Sequence, residues 1–223
     1  MSSLIRAPFL PYEKLRELAD NFLIKYHPSR KLPIPIEEII EFQLKIDIVP
    51  MPGLQELLRD DGHGIVGFTT SDLKEIYVDQ AVWQTRPGRY RYTLAHEVGH
   101  ITLHSKLYES CNYKSISGWK KFINSISATD HNWFEWQAYC FGGLILVPAD
   151  KLEKRVKKHL KEIYDELKKC SAPKIKDIEP IWDLVYDYVA EDFEVSKDVI
   201  QRRIEYDKLR VFFLRDETGY PWL

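Results

Sequence analysis

The sequence predicts an α+β fold: a compact domain built on a small twisted sheet and one functional helix, followed by a helical C-terminal region. Three observations carry that expectation. Residues 65–70 and 75–79 are β-rich and are separated around Ser71 and Asp72, the pattern of a hairpin. Beyond Pro87-Gly88 the apolar spacing becomes helical and stays so to about His104. After residue 150 only helical patterns of any length remain, which divides the chain into residues 1–150 and 151–223.

Taken in order, Pro11 opens a first helix whose Leu15, Leu18, Ala19, Phe22 and Leu23 form one apolar stripe. A break at Pro28, Pro33 and Pro35 precedes a short helix over 36–44 and a strand over 45–49. Asp60, Asp61 and Gly62 mark a turn before the hairpin. Residues 105–129 read as polar and irregular, with a helical turn near 119–126. Asp130 then caps a helix that runs through Glu135 towards Leu146, and Pro148 ends it. A basic helix follows over 150–169, then a break at Pro173. Two more helices are expected over 180–190 and 196–208, with Ser196 as N-cap of the second, and 211–214 is β-prone.

Composition narrows the class. The 223 residues are 44% hydrophobic and 13% aromatic, enough for a real core and against disorder. A net charge of -2 argues against a chain that coats nucleic acid. Residues 1–11 lack the apolar centre of a secretory signal, and the apolar run over 141–147 is too short to span a bilayer. Cys111, Cys140 and Cys170 are odd in number and widely spaced, so unpaired thiols in a reducing cytoplasm, away from membranes, are expected.

The chemistry lies in His96-Glu97-Val98-Gly99-His100, an H-E-x-x-H run on an expected helix. Four residues advance a helix by about 400°, so the two imidazoles sit about 40° apart and about 6 Å along the axis. Both can reach one ion. Two neutral imidazoles and a carboxylate suit Zn2+ and leave a position open for water, whose proton Glu97 is placed to take. The neighbouring Leu94, Ala95, Val98, Ile101 and Leu103 let the helix pack while the histidines face a cleft. Gly99 gives up about 1 kcal/mol of helix propensity relative to Ala, which close approach of another segment would justify.

A third ligand is required. Glu135 is the first choice, with Glu109, Asp130, His131 and His104 competing. His104 continues the four-residue series but drifts about a further 40°, which favours contact with a ligand or core packing over ligation. His131 lies one turn before Glu135 and could stabilise a developing oxyanion or merely cap the surface. Arg89 and Arg91 could brace the motif helix or bind substrate. His27, His63 and His159 read as surface residues, and Trp119, Trp133 and Trp136 as core or cleft wall.

Residues 89–104, RYRYTLAHEVGHITLH, resemble the R-x-R-F-T-L-A-H-E-x-G-H-x-x-L-H signature of the ImmA/IrrE family of metallopeptidases. Residues 135–148, EWQAYCFGGLILVP, are similar to that family's E-x-x-A-N-x-F-A-A-x-L-L-M-P block, whose leading glutamate is its third zinc ligand; the resemblance places that role on Glu135. Weaker likenesses sit at 33–39 and at Phe193-Glu194-Val195-Ser196. Tyr139 stands where the family has Asn, one turn after Glu135, and could orient that ligand or join His131 as a candidate oxyanion partner. Gly142 and Gly143 replace paired alanines, and would loosen the helix or admit a neighbour closely.

The resemblance implies a compact zincin fold of the gluzincin-like kind and a cytoplasmic zinc endopeptidase. Its substrate would be a DNA-binding repressor of the helix-turn-helix kind, cut to derepress stress or mobile-element genes. With no DNA-binding domain ahead of the catalytic region, that repressor is expected to be a separate protein. An extended substrate could add to the strand at 75–79. The alternative is a weak or inactive zincin serving as a protein- or DNA-binding regulatory module. Glu191, Asp192 and Glu194 between the last helices would repel phosphate, so nucleic acid is possible but not favoured.

Overall fold

The computed structural model describes residues 6, 8–57, 66–109, 111, 113–170 and 178–210. The expected turn at 60–62, the break at Pro173, the β-prone segment at 211–214 and His63 lie outside them. The chain divides into two compact units, residues 1–146 and 147–223. No helix among the described residues is long and apolar enough to cross a membrane.

In the first unit, α1 (Tyr12–Tyr26) buries Leu15, Ala19, Phe22 and Leu23, while Leu18 is only half-buried. α2 (Ile36–Glu38) continues as a wider π-helical turn, Ile39–Leu44, which ends at Lys45 in the left-handed region. β1 is Asp47–Met51, two residues later than expected. After α3 (Leu54–Leu57) come β2 (Gly67–Thr69) and β3 (Glu75–Asp79). These two pair antiparallel as the expected hairpin, with Thr69 opposite Ile76.

β1 lies parallel to β3 on its other side, with Ile48 opposite Ile76, so the order is β1-β3-β2. This corrects the expectation that substrate adds to 75–79. Both edges of β3 are already paired, and an added strand needs unpaired N–H and C=O groups. Among the described residues β1 and β2 are the edge strands, and of the two it is β2 that packs against the motif helix.

α4 (Gln80–Thr85), unforeseen from the sequence, starts where the Asp79 carboxylate accepts from the Val82 N–H. α5 (Pro87–Glu109) carries the motif and runs longer than expected, with Pro87 in its first turn. The region expected to be largely irregular contains a true helix, α6 (Ile116–Ser125), with Ser115 accepting from Gly118 N–H. α7 (Ala128–Leu146) is capped by Ser127 rather than Asp130: the Ser127 hydroxyl accepts from the Asp130 N–H and donates to the Asp130 carboxylate at 2.6 Å. α7 is apolar nearly all round its second half, as a helix sandwiched in a core must be. It packs on α5 and α1, while α5 also covers β2 and β3.

The second unit contains α8 (Ala149–Lys169), α9 (Glu179–Phe193) and α10 (Lys197–Tyr206). α8 buries Leu152, Val156, His159 and Leu160 at helical spacing and leaves Lys154, Lys157, Lys158 and Lys161 in solvent. His159, expected at the surface, is buried and bonds the Asp192 carboxylate at 2.7 Å. Ser196 occupies the N-cap position of α10, but its side chain makes no cap bond. Arg203 is buried and reaches Val147 O at 3.1 Å and the Asp207 carboxylate at 2.9 Å.

Candidate metal centre

Two glycines let α5 and α7 touch backbone to backbone. A Cβ on Gly99 would sit 2.8 Å from Ala138 O and 2.9 Å from Ala138 Cα; one on Gly142 would sit 3.0 Å from His96 N. A side chain at Gly99 would have to displace backbone and one at Gly142 would be tight against it, so the low helix propensity of Gly99 is offset by the closeness it allows. At Gly67 a Cβ would sit 2.8 Å from the Thr93 methyl, which brings β2 tight against α5.

This crossing brings together the three residues singled out as ligands. His100 Nε2 lies 3.0 Å from His96 Nε2. Glu135 Oε2 lies 3.1 Å from His96 Nε2, and Glu135 Oε1 lies 3.5 Å from His100 Nε2. Donors bound at about 2.0–2.1 Å in a tetrahedron are separated by about 3.3 Å. The three distances bracket that edge length, and the donor set leaves a fourth vertex open, so the residues fit a four-coordinate metal. Burial works against the His96 cation, yet Glu135, and Glu97 more weakly, raise its pKa above the ordinary histidine value. Burial likewise opposes the Glu135 carboxylate, but His100 and His96 hold its pKa well below the usual range. A divalent cation would take the place of that proton between them.

The competing residues are accounted for. Asp130 is bonded to Ser127. His131 Nε2 lies 3.7 Å from Glu135 Oε1. His104 touches His100 but is not one of the three residues whose donor atoms converge: its Nδ1 is 3.2 Å from His100 Nδ1 and its Nε2 is 2.9 Å from Gln137 Oε1. Burial first, then His100, push the His104 pKa down to about 3, so the ring is neutral. Phe134 stacks on both rings, with centroids 4.3 Å from His100 and 4.2 Å from His104. The side chain of Glu109 lies outside the described residues.

Glu97 is buried, and the hydroxyl of Thr69, wholly buried on β2, donates to its Oε2 at 2.7 Å. Sequence reasoning missed both Thr69 and Gln137: Thr69 is far from the motif in the chain, and Gln137, though two residues after Glu135, takes its role only from the His104 ring that folds against it. The arginines split their roles. Arg91 braces the helix through Ile34 O at 2.8 Å, whereas Arg89 lines a cavity beside the centre.

That cavity, of about 420 Å3, is walled by Phe68, Tyr108, Trp119 and Phe134 on its apolar side. His96, Glu97, His100 and Glu135 face into it, as does Tyr139. The Tyr139 ring packs 5.0 Å from that of Tyr92, whose hydroxyl donates to Tyr139 O. A pocket of this size, largely apolar with converging polar groups at one point, has the form of a substrate site.

The family model Peptidase_M78, described as an IrrE N-terminal-like domain, matches residues 67–205. The chain belongs to this family. The match covers β2, the motif helix α5, the Glu135 helix α7 and the helices that follow. It bears out the resemblance and the α+β zincin-like domain followed by helices. Membership gives the chain a metallopeptidase-type fold, and the structure supplies in His96, His100 and Glu135 a group able to hold a metal ion. Among solved structures, a Mycobacterium tuberculosis transcriptional regulator is similar at 15% identity with a TM-score of 0.51. That likeness covers 85% of this chain and 55% of the regulator, so the chain spans about half that protein's length and shares its fold. Among curated proteins none matches the sequence.

Proposed function

We propose that the chain is a zinc-dependent endopeptidase, with His96, His100 and Glu135 as metal ligands and Glu97 as general base. The observation that carries this is the convergence of three ligand atoms on one point, with a buried carboxylate from the same helix turn beside them. Zinc bound there would polarise the scissile carbonyl and lower the pKa of water towards neutrality. Glu97 takes the proton of the attacking water and passes it to the leaving amine. Thr69 occupies one carboxylate oxygen of Glu97 and so fixes which way the other faces. An extended substrate would lie along the free edge of β2, which abuts the motif helix. Of the two oxyanion candidates, Tyr139 lines the cavity and His131 does not.

The proposed substrate is a helix-turn-helix repressor met in the cytoplasm. The family, and a neighbour that is itself a transcriptional regulator, support a regulatory setting. On α9, Asp183 and Asp187 hold Lys197 in ion pairs, which occupies that cation against phosphate. The test is zinc content and cleavage of a candidate repressor by wild type and Glu97→Gln. The reading expects zinc in both and cleavage only by wild type. A Glu97→Gln variant that cuts at the wild-type rate would remove the base. Zinc-loaded wild type that binds the repressor and never cuts it would leave the regulatory-module alternative.

A further inference from the structure

For His100 to bind a metal through Nε2, its ring proton must sit on Nδ1, and the protein has to enforce that tautomer. His100 Nδ1 and His104 Nδ1 are 3.2 Å apart, so one of the two carries the hydrogen and the other accepts it. Were His104 the donor, His100 would keep its proton on Nε2, pointing at the other ligands, and could not bind. The pair alone does not decide.

The decision is made at the far end of a chain of bonds. The Gln137 side-chain nitrogen donates to Pro8 O, a backbone carbonyl that can only accept. The amide is thereby oriented with its NH2 towards Pro8 and Oε1 towards His104. Oε1 accepts from His104 Nε2 at 2.9 Å, so the His104 proton is on Nε2 and its Nδ1 holds a lone pair. His100 Nδ1 must then be the donor, and its Nε2 lone pair is left facing His96 and Glu135. Gln137, His104 and His100 are 0%, 2% and 3% exposed, so water cannot readily substitute for any link.

We propose that Gln137 and His104 are positioning residues that lock His100 in the metal-binding tautomer, with Pro8 O setting the direction of the chain. The proposal rests on the metal reading given above. It is tested by zinc affinity for wild type, Gln137→Met, which removes both bonds, and Gln137→Glu, which keeps an acceptor for His104. The expected results are an affinity loss of about 10–100-fold for Met and a recovery to within about threefold of wild type for Glu. A Met variant that binds zinc as wild type does overturns the lock, as does a folded Glu variant no better than Met. Long-range 15N NMR of the zinc-loaded wild type checks the same point without substitution. Protons on His100 Nδ1 and His104 Nε2 support the proposal, and a proton on His104 Nδ1 overturns it. A wild-type chain that takes up no zinc overturns the metal reading itself and this proposal with it, whereas zinc uptake indifferent to Gln137 overturns this proposal alone.

Discussion

Gly99→Ala separates two accounts of the motif glycine, because they predict opposite signs. In an unconstrained helix, alanine gains about 1 kcal/mol over glycine. Here the new methyl would lie 2.8 Å from Ala138 O and 2.9 Å from Ala138 Cα. Favourable carbon contacts begin near 3.5 Å, so the helices must part by roughly half an ångström. Both obstructing atoms are backbone, and no rotamer change relieves them. Overpacking of this kind costs about 1–3 kcal/mol, and a rigid helix crossing belongs at the upper end. Net of the propensity gain, the loss should be about 2 kcal/mol, or about 4–8 °C in melting temperature. His100 and Glu135 sit beside the crossing on opposite helices, and metal–ligand distances tolerate only about 0.2 Å. Zinc affinity should therefore fall at least about tenfold. Thermal melts and competitive zinc titration read both quantities. A variant that melts higher and binds zinc unchanged would refute the close crossing as the reason for the glycine.

Three further expectations follow from other parts of the molecule. Thr69→Val, which keeps the shape and removes the hydroxyl, should lower kcat for peptide cleavage by about tenfold or more with zinc affinity unchanged, and Thr69→Ser should restore it; equal losses in the Val and Ser variants would exclude the hydroxyl. In the metal-free chain, the raised His96 pKa adds stability that is full below its unfolded value of 6.5 and lost as pH rises through the folded one. The depressed Glu135 pKa adds stability that is present above 4.5 and lost as pH falls through its folded value. The melting difference between metal-free wild type and Glu135→Gln should thus peak between pH 4.5 and 6.5, and a difference flat across pH 4–8 would contradict the pair. Arg203→Ala should cost about 3 kcal/mol, because it removes the guanidinium from a buried ion pair in which both side chains are 4% exposed. Arg203→Lys should recover only part of that loss in denaturant titration, since it cannot bond bidentately.

Much of the site was legible because its parts are close in sequence or strongly patterned. His96, Glu97 and His100 needed only the pitch of one helix. Glu135 was the first choice among several candidates on the chain, the resemblance gave it the same role, and the α5–α7 crossing supplies the geometry. Thr69 and Gln137 were not legible, since a threonine in a strand and a glutamine in a helix acquire their roles only from what folds against them. The hairpin 67–79 was readable, but nothing in it reveals that β1 adds on the β3 side and so makes β3 the central strand. α4 is six residues long, too short for periodicity to show. Ser127 and Asp130 are both good caps, and their mutual hydrogen bonds, not their types, settle which one begins α7. His159 meets Asp192 across two helices, a contact with no local sequence signal.

The most direct test of the account is the coordination shell of zinc in the loaded protein, read by X-ray absorption at the metal edge. The account predicts one zinc per chain, surrounded only by nitrogen and oxygen at about 2.0–2.2 Å, with two imidazoles in the outer-shell scattering. It also predicts that Glu135→Gln and His100→Ala lose the metal, while Glu97→Gln retains it. Sulfur at about 2.3 Å, or an unchanged spectrum in the Glu135→Gln protein, would contradict it.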